Sequence, residues 1–324
     1  MKQIISTVFL ISSFLFAAEP REINITQAEL RGPLIYEKGK DQPYTGFLKI
    51  HYQSGKLDSI HGVLDGLEEG MRNSYFENGQ LREEGNYRKG KREGLHRSFY
   101  ENGCPQYELH YKEGVYDGSA REYYENGQLK GEVNFAGGAP VGPYRLYYEN
   151  GILNEEGTFE VFRENIEYAG SIGGSETRGG RPSRNFPGPV LQTRAKIERS
   201  TTVQNYRIYY TNGKLLETGR FVNGFPEGTK RIYYENGNLQ TEASFRRGFP
   251  EGIRKEFSED GKLLNETSWQ DGRMNGPARE YYPSGKIKEE RYYRKDKLDG
   301  IVKRYDENGN LTGEILYTEG KIRK

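Results

Sequence analysis

The sequence predicts an all-β protein: an elongated, single-layer antiparallel meander of tandem 24-residue β-hairpin repeats. Three observations carry this. Turn glycines recur every 24 residues, at Gly55, Gly79, Gly103, Gly127 and Gly151, and again at Gly213, Gly237, Gly261, Gly285 and Gly309. Columns of aromatic, basic and acidic residues travel with those glycines. The composition is rich in rings and turns, with 26 Tyr, 15 Phe and 42 Gly among 324 residues, yet only 33% of residues are hydrophobic. That balance favours a thin sheet over a thick core.

The chain opens on a segment that reads as separate from the fold. Met1-Lys2-Gln3 carries one positive charge, Ile4 to Phe16 is apolar, and Ala17-Ala18 precede the charged Glu19. This is the layout of a secretory signal peptide over residues 1–18, too short to span a bilayer. It implies export, to a periplasmic, surface-associated or secreted location. Tyr36-Glu37-Lys38-Gly39 matches the closing part of a repeat. A first strand is therefore expected near 33–37, with 21–31 irregular.

Two arrays follow, over 19–162 and 203–324. Numbered from the turn glycine, position −4 is aromatic in nine of the ten units, from Tyr75 to Tyr305. Position +8 is aromatic in nine, from Tyr87 through Trp269 to Tyr317. Position −6 is basic in nine and +5 is Glu in eight. Seven of the ten glycines follow Asn, and Asn-Gly is the strongest short hairpin signal because both residues accept positive φ. A two-residue turn is the favoured expectation; a type I turn with a bulged glycine is the competitor. The two-residue turn places −6 opposite +5, so Arg121 faces Glu132, Arg231 faces Glu242 and Arg279 faces Glu290. It also sets a glycine at −9 against the ring at +8, which covers exposed backbone.

Residues 163–202 lose the columns. They are rich in Gly, Ser, Arg and Pro, and seven basic against four acidic residues lie between Arg163 and Ser200. The segment reads as a linker left by a decayed repeat, or as a functional anion-binding loop.

Signals for chemistry are weak. Charge is balanced, 48 basic against 47 acidic residues, which gives no global electrostatic case for nucleic acid. One cysteine, Cys104, excludes an intrachain disulfide framework. His51 and His61 flank Gly55 but make an incomplete metal site, and surface polar roles are expected for the histidines. No nucleophile elbow, phosphate loop or His-Glu-x-x-His occurs. Neither enzymatic activity nor a cofactor or metal is expected. The Glu column reads as half of a structural ion-pair ladder, and the acidic row at −2, including Glu77, Glu101, Glu125, Glu149, Glu235 and Glu307, as solvated turns. Tyr124, Tyr148, Tyr210, Tyr234 and Tyr282, at −3, are the candidate binding surface, since amphipathic rings on an open sheet are effective binders. The alternative is a purely structural tiling of rings.

The units Tyr75-Phe76-Glu77-Asn78-Gly79-Gln80-Leu81 and Glu84-Gly85-Asn86-Tyr87-Arg88-Lys89-Gly90 resemble the MORN-variant repeat family, over most of 32–162 and 203–324. The resemblance implies a hairpin-repeat fold and a binding or scaffold role. Similarity to YwqK-type members implies an antitoxin or immunity protein that neutralises a toxin by binding, and similarity to MORN proteins implies peripheral lipid binding. Kinase labels attached to eukaryotic relatives do not transfer, because the kinase segment is missing here. The expected role is an exported, non-enzymatic module for a protein or cell-surface macromolecule, at a bacterial envelope or host surface.

Overall fold

The computed structural model describes residues 21–162 and 201–323. The leader at 1–18 and most of the insertion lie outside them. The fold is all-β, built of consecutive antiparallel hairpins, and divides into two compact units, 1–115 and 116–324.

In the first unit the repeats occupy strands Gly46–His51, Leu57–Leu64, Leu67–Tyr75, Leu81–Arg88, Lys91–Phe99 and Pro105–Lys112. The expected strand near 33–37 is present as Leu34–Glu37, but 21–31 is not irregular. Glu22–Asn24 is a short strand running parallel to Gly46–His51. A 3-10 turn at Ile25–Gln27 follows, closed by a capping box between Asn24 and Gln27. Ala28–Arg31 then pairs with Leu34–Glu37. The missed order has a packing cause: Ile23, Tyr44, Leu48 and Val63 form a buried cluster with Ala28 and Ile35 against it.

The strands from Val115–Tyr123, all but its first residue in the second unit, to Lys321–Ile322 keep the same 24-residue rhythm. Leu153–Phe162 pairs with Thr201–Tyr209 in unbroken register, Phe162 opposite Thr201 and Glu155 opposite Ile208. The insertion therefore joins two neighbouring, paired strands, and the repeats before and after it are adjacent. Residues 201 and 202 already belong to the sheet.

The Asn-Gly turn is the competitor form. In the Gly127 unit the Gly127 amide donates to the Tyr124 carbonyl at 2.9 Å, and the Tyr124 amide to the Gln128 carbonyl at 2.8 Å. Gly127 has φ +85°, whereas Asn126 is not among the residues with positive φ. This is a type I turn with a bulged glycine, a three-residue connection. The asparagine carbonyl is spent locally instead: Asn126 Oδ1 accepts from the Gln128 amide at 2.9 Å. The predicted pairing nonetheless holds, because a second irregularity cancels the first. Tyr123 pairs with Leu129, then Lys130 is skipped, so that Glu122 meets Gly131 and Arg121 meets Glu132. Contacts between the charged columns therefore do not discriminate between the two turns.

The two-residue turn occurs at the other end of the repeat. Arg88 pairs with Lys91 around Lys89-Gly90, with φ of +50° and +76°. A non-glycine residue in this region costs about 1 kcal/mol. The previous strand stabilises it, since the Lys89 amide donates to Glu69 Oε2 at 2.8 Å and the Gly90 amide to the Glu68 carbonyl at 2.8 Å. Arg247-Gly248 is held in the same way by Glu227 and Pro226.

Burial collects on one face. Among the described residues of the second unit, the buried ones fall at −7, −5, +4, +6 or +8, including Ala120, Phe135, Tyr144, Tyr206, Ala243 and Val302, with Pro140 at −11 besides. Phe245 is only half-buried, so the largest truncation costs fall on Tyr144 and its equivalents.

Candidate functional site

The opposite face carries the charge ladder. Arg121 lies 3.6 Å from Glu132, Arg231 2.7 Å from Glu242 and Arg279 3.0 Å from Glu290. The glutamates also reach the next repeat, as in Arg145–Glu132 at 3.5 Å. In the first unit Arg97 bridges Glu84 and Glu108 at 3.1 and 3.5 Å. Tyrosines at −4 join the row: Tyr281 donates to Glu266 at 2.8 Å and Tyr305 to Glu290 at 3.1 Å. Burial and the hydrogen bond to Glu266 push the Tyr281 phenol above its ordinary value. The arginines are about half exposed, so each pair contributes on the order of 0.2–1 kcal/mol. Arg231→Gln is expected to lower the free energy of unfolding in urea by an amount within that range, and less at high salt; a loss beyond about 2 kcal/mol contradicts a solvent-screened ladder.

The −3 tyrosines are inter-repeat staples. Tyr124, Tyr148, Tyr210, Tyr234 and Tyr282 are half-buried. Their hydroxyls donate to the carbonyls of Tyr147, Tyr209, Tyr233, Phe257 and Tyr305, at 2.8, 2.9, 2.7, 2.8 and 2.8 Å. Each bond links one repeat to the next. Tyr210→Phe keeps the ring and removes one bond, and is expected to cost about 0.5–1.5 kcal/mol. Equal unfolding midpoints for variant and parent would show the staple to be energetically idle.

The exposed apolar residues lie elsewhere, and the sequence reading missed them. Tyr292, Ile301 and Leu316 are 46, 48 and 48% exposed. Ile301 stands opposite Leu316, and Tyr292 lies in the strand before, so the three occupy consecutive strands on the ladder face. Ile253, 53% exposed, repeats the Ile301 position two units earlier. Phe225 and Phe249, 58 and 60% exposed, recur one unit apart, their rings against Gly248 and Gly272 of the following repeat. The detectable signal was the +7 column, where Tyr292 and Leu316 follow the polar Asn134, Thr158, Arg220, Ser244 and Ser268, together with apolar residues at −8 and −12.

The histidines do not meet. His51 Nδ1 lies 2.7 Å from the Asn24 side-chain nitrogen. His61 is buried rather than on the surface, its Nδ1 2.8 Å from Glu68 and its Nε2 3.0 Å from Ser59 Oγ. The His61 hydrogen bond, helped by Arg72, holds the Glu68 carboxyl below its usual range against the opposing effect of burial. A lowered carboxyl pKa contributes stability that is complete above the ordinary glutamate range and is lost as pH falls through the lowered value. The stability gap between the parent and Glu68→Gln is therefore expected to shrink as pH falls from about 7 to about 3. A pH-independent gap would contradict this origin.

Hairpins of constant register, stapled to their neighbours by tyrosines and edged by an ion-pair ladder, define a tandem-repeat β protein in which each unit leans mainly on the next. The MORN repeat variant matches nine segments: 68–89, 92–113, 116–136, 140–160, 205–223, 226–247, 250–271, 274–295 and 298–319. The MORN repeat itself matches 84–95. The variant segments cover more than half of the sequence, and the chain belongs to the MORN repeat variant family. It is thus a repeat-based binding or scaffold module, of a family that is typically non-catalytic and generally mediates protein or membrane interactions. No curated protein matches the chain. Among solved structures, TcdB2-TccC3 without its hypervariable C-terminal region is 14% identical, covering 84% of this chain and 14% of that one, with a TM-score of 0.19. The Photorhabdus luminescens Tc holotoxin pore is also 14% identical, covering 87% and 14%, with a TM-score of 0.18. The chain spans about 14% of the length of those proteins, and likeness at these scores carries no argument.

Proposed function

We propose that the protein is an exported, non-enzymatic module that binds a macromolecular partner, at a bacterial envelope or a host surface. The observation that carries the binding part is the apolar strip of Tyr292, Ile301 and Leu316 beside the charge ladder. Apolar side chains grouped in water and rimmed by charges mark a contact surface. The −3 tyrosines contribute by keeping successive repeats in register beneath that surface, since their hydroxyls are committed to carbonyls. Export is supported by the apolar run Ile4–Phe16 ahead of Ala17-Ala18.

The test is capture from cell-surface and secreted fractions by the parent chain and by the triple variant Tyr292→Ser, Ile301→Ser, Leu316→Ser. A protein retained by the parent, lost with the triple variant and kept by Tyr282→Phe supports the strip as the contact surface. Equal capture by parent and triple variant, with unchanged circular dichroism, removes it. N-terminal sequencing of the cellular protein tests export separately. A start near Glu19 supports it, and intact Met1 in a wholly cytosolic chain sinks it.

A further inference from the structure

Within residues 21–115 two arginines and a histidine cluster on the buried face. Arg72 and His96 occupy the −7 positions of successive units, a column that in the second unit carries Ala120, Tyr144, Tyr206, Ala278 and Val302 but also Lys230 and Arg254. Arg92 stands at −11. The His96 ring sits between Tyr87 and Tyr111, edge-on to both with centroids 5.4 and 4.9 Å away. Its Nε2 lies 2.8 Å from the Asn86 carbonyl. That sandwich fixes the two phenols, and each carries a guanidinium: Arg72 lies 5.5 Å over Tyr87 and Arg92 5.2 Å over Tyr111.

Both guanidiniums converge on one atom. Arg72 Nη1 is 3.4 Å and Arg92 Nε 3.3 Å from the Tyr87 hydroxyl. Arg92 Nη1 also donates to the Tyr111 hydroxyl at 2.9 Å. Arg72 has one carboxylate, Glu68 at 3.3 Å, which is anchored from the other side by His61. Among the described residues no carboxylate lies within ion-pair distance of Arg92, whose side-chain hydrogen bonds go to phenols, and it reaches Glu68 only through its charge. Glu83, the other acid near His96, forms no ion pair with either arginine. Two guanidiniums therefore meet beside the Tyr87 hydroxyl with one carboxylate, Glu68, among them. Two positive charges against one negative leave an excess that a further anion would offset.

We propose that Arg72 and Arg92, converging on the Tyr87 hydroxyl, form a binding site for a tetrahedral oxyanion, a phosphate or sulfate group. The two forks come from different strands and present donors from two directions. A tetrahedral anion offers oxygens outside a single plane and accepts from both, whereas a planar carboxylate satisfies one fork. The site is independent of the apolar strip and of export.

The experiment is titration of the full chain with inorganic phosphate, inorganic sulfate, phenyl phosphate and acetate, following the arginine Nε–H resonances by NMR. Saturable shifts of Arg72 and Arg92 with phosphate or sulfate are expected. Arg92→Gln is expected to weaken binding by about tenfold or more, the scale of one charge-assisted pair. Arg254→Gln, at a −7 position where the guanidinium has its own carboxylate in Glu256, is expected to leave binding unchanged. Tyr111→Phe, which keeps the ring and removes the hydroxyl that aims Arg92, is expected to weaken it and serves if Arg92→Gln does not fold. Tighter binding of phenyl phosphate than of inorganic phosphate identifies an esterified group, and the reverse a free anion; both support the site. Absence of saturation at tens of millimolar, on the order of the weakest useful affinities, overturns it. So does binding unaffected by Arg92→Gln, or acetate binding as tightly as phosphate.

Discussion

Tyr144→Ala is expected to destabilise the surrounding repeats by about 3–5 kcal/mol, the cost of removing a large buried ring. Tyr144 is 1% exposed, the most deeply buried large side chain described. Its ring packs on Phe159 with centroids 4.9 Å apart. Its hydroxyl donates to Glu155 at 2.8 Å and accepts from Gln204 at 2.7 Å. Truncation leaves a cavity and removes the donor from a half-buried carboxylate, two costs that add. Because each repeat touches mainly its neighbours, the loss should be local in extent. Hydrogen exchange should quicken at Ala139–Tyr147, Leu153–Phe162 and Thr201–Tyr209 while Ile287–Arg294 stays protected. A loss below about 1 kcal/mol would mean that the site collapses around the missing ring.

Gly157→Ala is the second large effect. A Cβ there would lie 2.2 Å from the Asn205 backbone carbonyl and 2.6 Å from the Tyr144 ring. The obstacle is contact rather than backbone conformation, since Gly157 is not among the positive-φ glycines. Overpacking against backbone costs about 1–3 kcal/mol and sometimes more. In the double variant with Tyr144→Ala the ring clash disappears while the carbonyl clash remains, so the two losses should sum to less than their separate values. Urea unfolding of the four proteins measures this. Strict additivity would show that ring and glycine do not share the contact.

The repeat, its hairpins and the pairing of Arg121 with Glu132 were legible because a period of 24 and a strand period of two leave little freedom. The turn was not. A bulged glycine and a skipped residue shift the register in opposite senses, and column matching sees only their sum. The −9 glycine facing the +8 ring was readable, as in Gly118 opposite Phe135. The second such pairing, Gly157 opposite Tyr144 and Gly219 opposite Tyr206, was not, because the +6 glycine reads as part of a Glu-Gly motif. The staples were hidden for a different reason. Tyr210 reaches the Tyr233 carbonyl, and a backbone carbonyl has no sequence signature. The arginine cluster depends on His96 ordering two phenols that lie on different strands, an arrangement that spacing alone does not encode.

The unbroken pairing of Phe162 with Thr201 has a bearing on how such a chain acquires cargo. The ends of the insertion are held side by side by the sheet, so a longer segment hung there meets a closure cost that rises only logarithmically, about 0.6 kcal/mol per doubling. The position thus acts as a port. A foreign domain whose own termini lie close together can be spliced between these strands without disturbing the hairpins on either side, which offers a display site in mid-array rather than at a terminus.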